Sequence, residues 1–368
     1  MSVTWRQALA WRLRMQLLEP VGTKPVEGVV ARLGAVPAQS ISTAELAVRS
    51  RRMQSAAGEV TDALTAGTII RTFAFRGATH LMTPVEGADY LALRASSRMW
   101  ELPSWQKSYR LAPADWPALR ETVRDALGDG PLTIDELGAA VTARPAYRHL
   151  TGAFADRSFT IVKPFAWQGD ICFAPSRNGM ATVQRLDRNP HWAGLPDIED
   201  AGRSAVQNYL RAYGPATPDH LQYWLGAGLG AARRRLGRWI SDLDDRLVTV
   251  DIEGDPAMVL REDLDGLADT TSTTSVVLLP GHDQWVLGPG TADAHVVPPT
   301  RRAAVTRGAN IVLANGVVSG TWSLRAAGAL VAWFPECGLP PREALASAVD
   351  RLAGVLDRPL RSTIEVAR

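Results

Sequence analysis

The chain repeats a helix boundary, and that repeat constrains its fold more than any other feature. Gly130-Pro131-Leu132-Thr133-Ile134-Asp135-Glu136-Leu137 recurs as Gly214-Pro215-Ala216-Thr217-Pro218-Asp219-His220-Leu221. In each copy a Gly ends one helix and a Thr begins the next, with an acid in the first turn where the helix dipole favours it. Thr133 and Glu136 also have the spacing of a capping box. Ser42-Thr43-Ala44-Glu45 is a looser third case, with box spacing from Ser42 to Glu45. After each capped pair come strand-like stretches broken by Gly or Pro: 69–82 around Gly77, 159–173 around Gly169 and 247–260 around Gly254. Helix, turn, helix, then hairpin is the winged-helix plan, so the pattern predicts three tandem winged-helix modules over most of residues 20–270.

Residues 1–108 then hold an N-terminal helix and the first module, 109–198 the second, and 199–269 the third. The Thr/Ser-rich stretch 269–275 reads as a linker. Beyond it, short apolar runs such as Val276-Val277-Leu278-Leu279 and Leu330-Val331-Ala332-Trp333-Phe334 replace the helical spacing. Asn315-Gly316 is a type I′ hairpin signal. Residues 270–368 are therefore expected to form a small antiparallel, β-barrel-like domain ending in a helix over about 342–356, and the fold class is α+β.

Length and composition fit this division. At 368 residues, with 46% hydrophobic and 21% charged, the chain can bury several cores, and disorder and collagen are excluded. Its longest apolar runs fall far short of the roughly 18 residues of a membrane-spanning helix. The start, Met1-Ser2-Val3-Thr4-Trp5-Arg6, reads as an amphipathic helix and not as a signal peptide, which predicts a cytoplasmic protein. Cys172 and Cys337 stand far apart with no Cys or His at metal-ligand spacing, so neither a zinc site nor a disulfide framework is expected. Lys24, Lys107 and Lys163 are the only lysines among 40 basic residues. Codon usage in a GC-rich genome explains such an Arg preference, and Arg is also the better phosphate ligand, being planar, forked and always charged. With 38 acids and a net charge of +2, nucleic-acid binding requires the arginines to be gathered on one surface.

Six stretches, in order along nearly the whole chain, carry a family resemblance. They are Trp11-Arg12-Leu13-Arg14-Met15-Gln16; Arg32-Leu33-Gly34-Ala35-Val36-Pro37-Ala38-Gln39; Arg71-Thr72-Phe73-Ala74-Phe75-Arg76-Gly77-Ala78-Thr79-His80-Leu81; Tyr209-Leu210-Arg211-Ala212-Tyr213-Gly214-Pro215-Ala216-Thr217; Leu278-Leu279-Pro280-Gly281-His282-Asp283; and Gly316-Val317-Val318-Ser319-Gly320-Thr321-Trp322. The set resembles the winged-helix DNA glycosylases of the AlkZ and YcaQ type. The resemblance implies a C-shaped arrangement of winged helices and a β-barrel around duplex DNA. It also implies a monofunctional enzyme acting on bulky N7-alkylguanine, in some members unhooking antibiotic-derived interstrand cross-links as self-protection. The expected partner is duplex DNA carrying alkylated guanine, bound by a monomer. The family's catalytic motif is Gln-x-Gln or Gln-x-Asp, and the positions that match it here are Pro37, Ala38 and Gln39. Only Gln39 carries over as catalytic. Pro37 offers neither a side-chain donor nor a backbone N–H.

A glutamine cannot take up a proton at neutral pH. Alkylation at N7 makes guanine a cation, however, so its glycosidic bond breaks without a general acid, and holding a water beneath the sugar is what remains. Where a stronger base is needed, Asp283 is the candidate, with His282 and His80 behind it. Each has a local alternative. Gln39 could satisfy backbone groups at the helix junction, Asp283 could bond within its Pro-Gly turn, and His80 could be a structural strand histidine. Trp100, Trp105 and Trp285 could stack on a base, although buried packing is the commoner fate of Trp. For phosphate contacts the densest cluster is Arg49, Arg51 and Arg52. Next is the face left by Leu236, Trp239, Ile240 and Leu243, which carries Arg234, Arg235 and Arg238. Arg71 and Arg76 flank the first hairpin. A non-catalytic winged-helix DNA-binding protein or transcriptional regulator is the competing class: the missing first Gln favours it, and the surviving Gln39 favours the enzyme.

Overall fold

Each repeat builds a helix, a short strand, further helices and a hairpin whose second strand pairs back with the short strand. The computed structural model describes residues 1–325 and 328–367. In the first repeat, helix Val26–Leu33 leads into strand Val36–Pro37, helices Ile41–Arg49 and Glu59–Ala66, and hairpin Ile70–Phe73/Thr79–Met82. The second has helix Trp116–Ala126, strand Leu132–Thr133, helix Ile134–Thr142 and hairpin Ile171–Arg177/Met180–Arg185. The third runs from Ile198–Tyr213 through Ala216, which bridges to Met258, to helices Pro218–Trp224 and Ala232–Ser241 and hairpin Leu247–Ile252/Asp255–Leu260.

Local chemistry sets these boundaries. Thr133 accepts from the Glu136 N–H at 3.2 Å while Glu136 returns a bond to the Thr133 N–H at 2.8 Å. Thr217 does the same with His220, whose ring nitrogen replaces the usual carboxylate. The first repeat differs from expectation: Ser40 caps the helix through Thr43 N–H at 3.4 Å, and Glu45 instead bonds the Gly58 N–H. The second hairpin also differs. It turns at Asn178-Gly179, both at positive φ, whereas Gly169 ends the short helix Lys163–Trp167.

The first two hairpins merge into one six-stranded sheet, joined where Arg71 pairs with Phe173. Strand Val36–Pro37 lies on its outer edge. The third hairpin takes Ser2–Val3 as a parallel neighbour. Behind that strand, helix Trp5–Met15 turns Leu9 and Leu13 into a core with Trp285, Val286 and Leu313, and Trp11 into one with Val250 and Leu267. A fully buried Leu stabilises by about 1.5–3 kcal/mol, so this helix holds the third repeat firmly to the C-terminal part of the chain.

That C-terminal part is an open sheet and not a closed barrel: Val276–Leu279, Asn310–Ala314, Val317–Arg325, Gly328–Trp333 and Arg361–Val366 lie in sequence order. It is not wholly antiparallel either, because the last two strands run parallel. Helix Arg342–Val355 makes the crossover such a pair requires, packing Leu345, Val349 and Leu352 against Leu278, Val312 and Trp333. Asn315 and Gly316 both adopt the positive φ of the expected tight turn. Among the described residues no helix is long and apolar enough to cross a membrane.

Candidate active site and nucleic-acid interface

Pro37-Ala38-Gln39 leaves the edge strand just before the Ser40 cap. Ala38 N–H donates to the Thr79 carbonyl at 2.8 Å, while Pro37 stands opposite His80 in the register. Adjacent residues of an antiparallel pair alternate in hydrogen bonding, so the Pro37 nitrogen faces away from the sheet, where a missing N–H costs nothing. Arg71, on the neighbouring hairpin, fixes the next step of the chain. Its Nε donates to the Ala38 carbonyl at 2.9 Å and its Nη2 to the Gln39 carbonyl at 3.3 Å. Gln39 itself is exposed, and among the described residues its side-chain amide forms no hydrogen bond. Since Ser40 supplies the cap, Gln39 does not serve the helix junction. An amide left free on a clamped backbone can hold a water or a polar substrate group.

His80 lies behind this edge, 3% exposed, and its Nδ1–H donates to the Ala78 carbonyl at 3.1 Å. It sits edge-on to Phe75 and Trp224, which stack on one another. Burial pulls its pKa down to about 4, so the ring is neutral at physiological pH. This is the packed strand histidine of the local alternative.

The structure does not bring Asp283 to Gln39 as a solvent-facing base. Asp283 caps helix Gln284–Leu287 through Trp285 N–H at 2.8 Å and accepts both outer nitrogens of Arg51, at 2.7 and 2.9 Å. Both side chains of the pair are 0% exposed. A carboxylate enclosed in this way cannot deprotonate a water at the surface, and Arg51 cannot reach a phosphate. Arg51 also reaches Gln16 Oε1 at 3.4 Å, and Gln16 Nε2 reaches the Ala212 carbonyl at 3.3 Å. The group thus ties the N-terminal helix, the first repeat, the third repeat and the C-terminal sheet together. His282, at positive φ, is exposed and contacts the Thr306 carbonyl at 3.3 Å.

The rest of the densest arginine cluster also has internal partners. Arg49 pairs with Asp357 at 2.8 Å and donates to Ser55 Oγ at 3.2 Å, while Arg52 pairs with Glu59 and donates to the Lys24 carbonyl at 3.0 Å. The cluster expected to grip phosphate therefore binds this chain's own carboxylates. In helix Ala232–Ser241, Arg234 is exposed, Arg235 half-buried and Arg238 paired with Glu199. Trp285 and Trp100 are core residues, the former donating to the Gly316 carbonyl at 2.9 Å, and Trp105 is half-buried against Tyr109 and Trp116.

Arg71 lies half-buried against the Gln39 backbone and Arg76 is exposed against Tyr223, and the structure adds two cations that the sequence did not single out. Lys163 Nζ sits 5.6 Å over the Phe73 ring, and Arg94 lies 4.3 Å over Trp167 in the same helix as Lys163. Arg71 lies 4.7 Å over Phe173 and Arg76 3.9 Å over Tyr223. Lys163 is half-buried, whereas Lys24 and Lys107 are exposed. Desolvation, then Arg94, lower its pKa from the usual lysine value.

Comparison with known proteins identifies the family. The family model for AlkZ-like DNA glycosylases matches residues 30–355. The chain is 34% identical to the interstrand DNA cross-link repair glycosylase of Streptomyces sahachiroi, over 98% of this chain and all of that one. It is also similar to the solved structure of the Streptomyces sahachiroi DNA glycosylase AlkZ, with a TM-score of 0.92 and 33% identity over 99% of this chain and 100% of that one. Both matches run through the Gln39 edge and the C-terminal sheet alike, so the chain belongs to the AlkZ-like DNA glycosylase family.

Proposed function

We propose that this chain hydrolyses the N-glycosidic bond of bulky N7-alkylguanine adducts in duplex DNA, interstrand cross-links included, and protects a producing cell against its own genotoxic compound. In this reading it is a monofunctional glycosylase acting as a monomer in the cytoplasm, its three repeats are winged-helix modules around the duplex, and it needs no metal or organic cofactor. One observation carries the proposal: the Gln39 amide is free, exposed and set on a backbone that Arg71 clamps. The alkylated base leaves as a neutral molecule, so the enzyme need not protonate it. Its tasks are to hold the attacking water and to complement the positive charge that develops on the sugar. The Gln39 side-chain amide oxygen accepts from that water, its partial negative charge suits a cationic transition state, and the proton that the added water loses passes to solvent.

Gln39→Ala should leave the fold and DNA affinity nearly intact and lower single-turnover base release by roughly 10–1000-fold, the range for losing one transition-state contact. The measurement is abasic-site formation in an N7-methylguanine duplex. Unchanged release removes Gln39 from the mechanism. One observation favours the second reading, a DNA-binding protein without activity: Pro37 puts an apolar ring where the family motif has an amide. That reading predicts no abasic sites from the wild-type protein on any alkylated duplex.

A further inference from the structure

Arg71 and Arg76 belong to one hairpin, Ile70–Met82, and Arg94 and Lys163 come to it from two other segments. Phe173, under Arg71, is 5.1 Å from Phe73, which lies under Lys163. A Cβ built on Gly77 would lie 3.7 Å from Lys163 Nζ, and Arg76 is the residue before that glycine. Arg94 is near enough to depress the basicity of Lys163. All three repeats contribute: the hairpin from the first, Lys163, Trp167 and Phe173 from the second, Tyr223 from the third.

Among the described residues none of the four forms an ion pair, in contrast to Arg49, Arg51 and Arg52. Arg71, Arg76 and Arg94 donate only to backbone carbonyls, and the Nε of Arg94 is buried without a partner. Lys163 makes no hydrogen bond, and the acid that acts on it, Asp156, gives its own oxygens to Ser158. Half-burying a cation over a ring without a counter-ion has a desolvation cost that an arriving anion offsets, and the ring face holds the cation in place meanwhile.

We infer that Lys163 and Arg94, with Arg71 and Arg76, form a phosphodiester-binding site that takes the sugar-phosphate backbone of the DNA strand beside Gln39. The aromatic rings beneath fix the four charges in space, so the backbone is held in one register and the glycosidic bond of a nearby nucleotide is brought to the Gln39 amide. The inference rests on the reading of the chain as a DNA-acting enzyme and assigns the strand contact on which that reading depends.

The test is binding of an undamaged duplex oligonucleotide across a salt series. Each phosphate contact contributes about 0.9 to the slope of log affinity against log salt. Lys163→Gln should reduce the slope by about one and Lys163→Gln with Arg94→Gln by about two, with affinity falling for all sequences alike. Arg144→Gln, whose charge is balanced by Asp125 at 3.0 Å, should change neither. Circular dichroism checks each fold, and the exposed Arg76→Gln carries the same expectation of one unit if the Arg94 variant unfolds. A wild-type slope in folded Lys163→Gln and Arg76→Gln overturns the site. Because the duplex is undamaged, that result leaves base release untouched. A lost slope with no base release from any alkylated duplex refutes the enzyme and keeps the site.

Discussion

Asp283→Asn separates a structural carboxylate from a catalytic one. In the wild-type protein the two Asp283 oxygens take bonds of 2.7 and 2.9 Å from Arg51, with both side chains fully enclosed. Removing one partner of such a pair leaves an uncompensated charge inside the protein and costs about 3–5 kcal/mol. Asn keeps an oxygen for the Trp285 cap and one bond to Arg51, which places the expected loss near the lower end, at about 3 kcal/mol. The assay is urea unfolding together with single-turnover base release at a temperature where the variant is folded. The unfolding midpoint should drop while release per folded molecule stays within about threefold of wild type. Arg51→Met with Asp283→Leu should then recover much of the lost stability, since a buried pair can be replaced by apolar groups of similar volume. Unchanged stability with base release abolished would refute the structural assignment and make Asp283 the group that activates water.

Two further outcomes follow from the same edge of the sheet. The His80 imidazole is held at about 4, below its ordinary 6.5, so the unfolded chain binds a proton in that interval and the folded chain does not; stability is full above pH 6.5 and falls as pH drops towards 4, by up to about 1.4 kcal/mol per unit from this group. Urea titrations at pH 7 and 5 should show a smaller difference for His80→Gln than for wild type, and equal differences would refute the assignment. Pro37→Gln places a longer polar side chain at a buried position, so urea unfolding is measured beside excision; the folded variant should raise release of N7-methylguanine and impair handling of a bulky lesion. A folded variant with no gain would strengthen the case for a binding protein.

What the sequence revealed was local, and what it hid was long-range. The Thr133 and Thr217 caps and the Asn315-Gly316 turn depend on residues within three positions of one another, so their chemistry is readable along the chain. The second hairpin is harder to place from sequence because a glycine that ends a helix and one that makes a turn both take positive φ; Gly169 and Gly179 differ in context, and Asn178-Gly179 carries the turn signal. The parallel final pair depends on where helix Arg342–Val355 lands, and strand Arg361–Val366 is too exposed to show a buried face. The arginine cluster failed as a guide for the same reason. Density along the chain says nothing of Asp283 and Asp357, which lie far away in sequence and neutralise Arg51 and Arg49. Arg94 and Lys163 are isolated in sequence and become neighbours only when the second repeat packs on the first hairpin. Lys163 is one of three lysines and, unlike Lys24 and Lys107, is not exposed, a difference that only the fold reveals.

The edge strand explains how a proline can stand at position 37, where the resemblance implies a glutamine, without disturbing the frame. A proline in an inner strand would break the ladder, but at position 37 the nitrogen points outward and Ala38 makes the bond to Thr79 that holds the strand. Arg71 then bonds the carbonyls of Ala38 and Gln39, so the path of the chain to the Ser40 cap does not depend on any side chain at 37. Proline at 37 is thus compatible with the fold, and on the proposed function its consequence falls on the chemistry. It removes one donor and acceptor from the site and replaces it with a short ring, which fills less space and binds no water. On the proposed function, such an enzyme would draw more of its rate from the substrate's own positive charge. On the proposed function, lability of the bond and size of the adduct are then the two properties by which this site would distinguish its lesion.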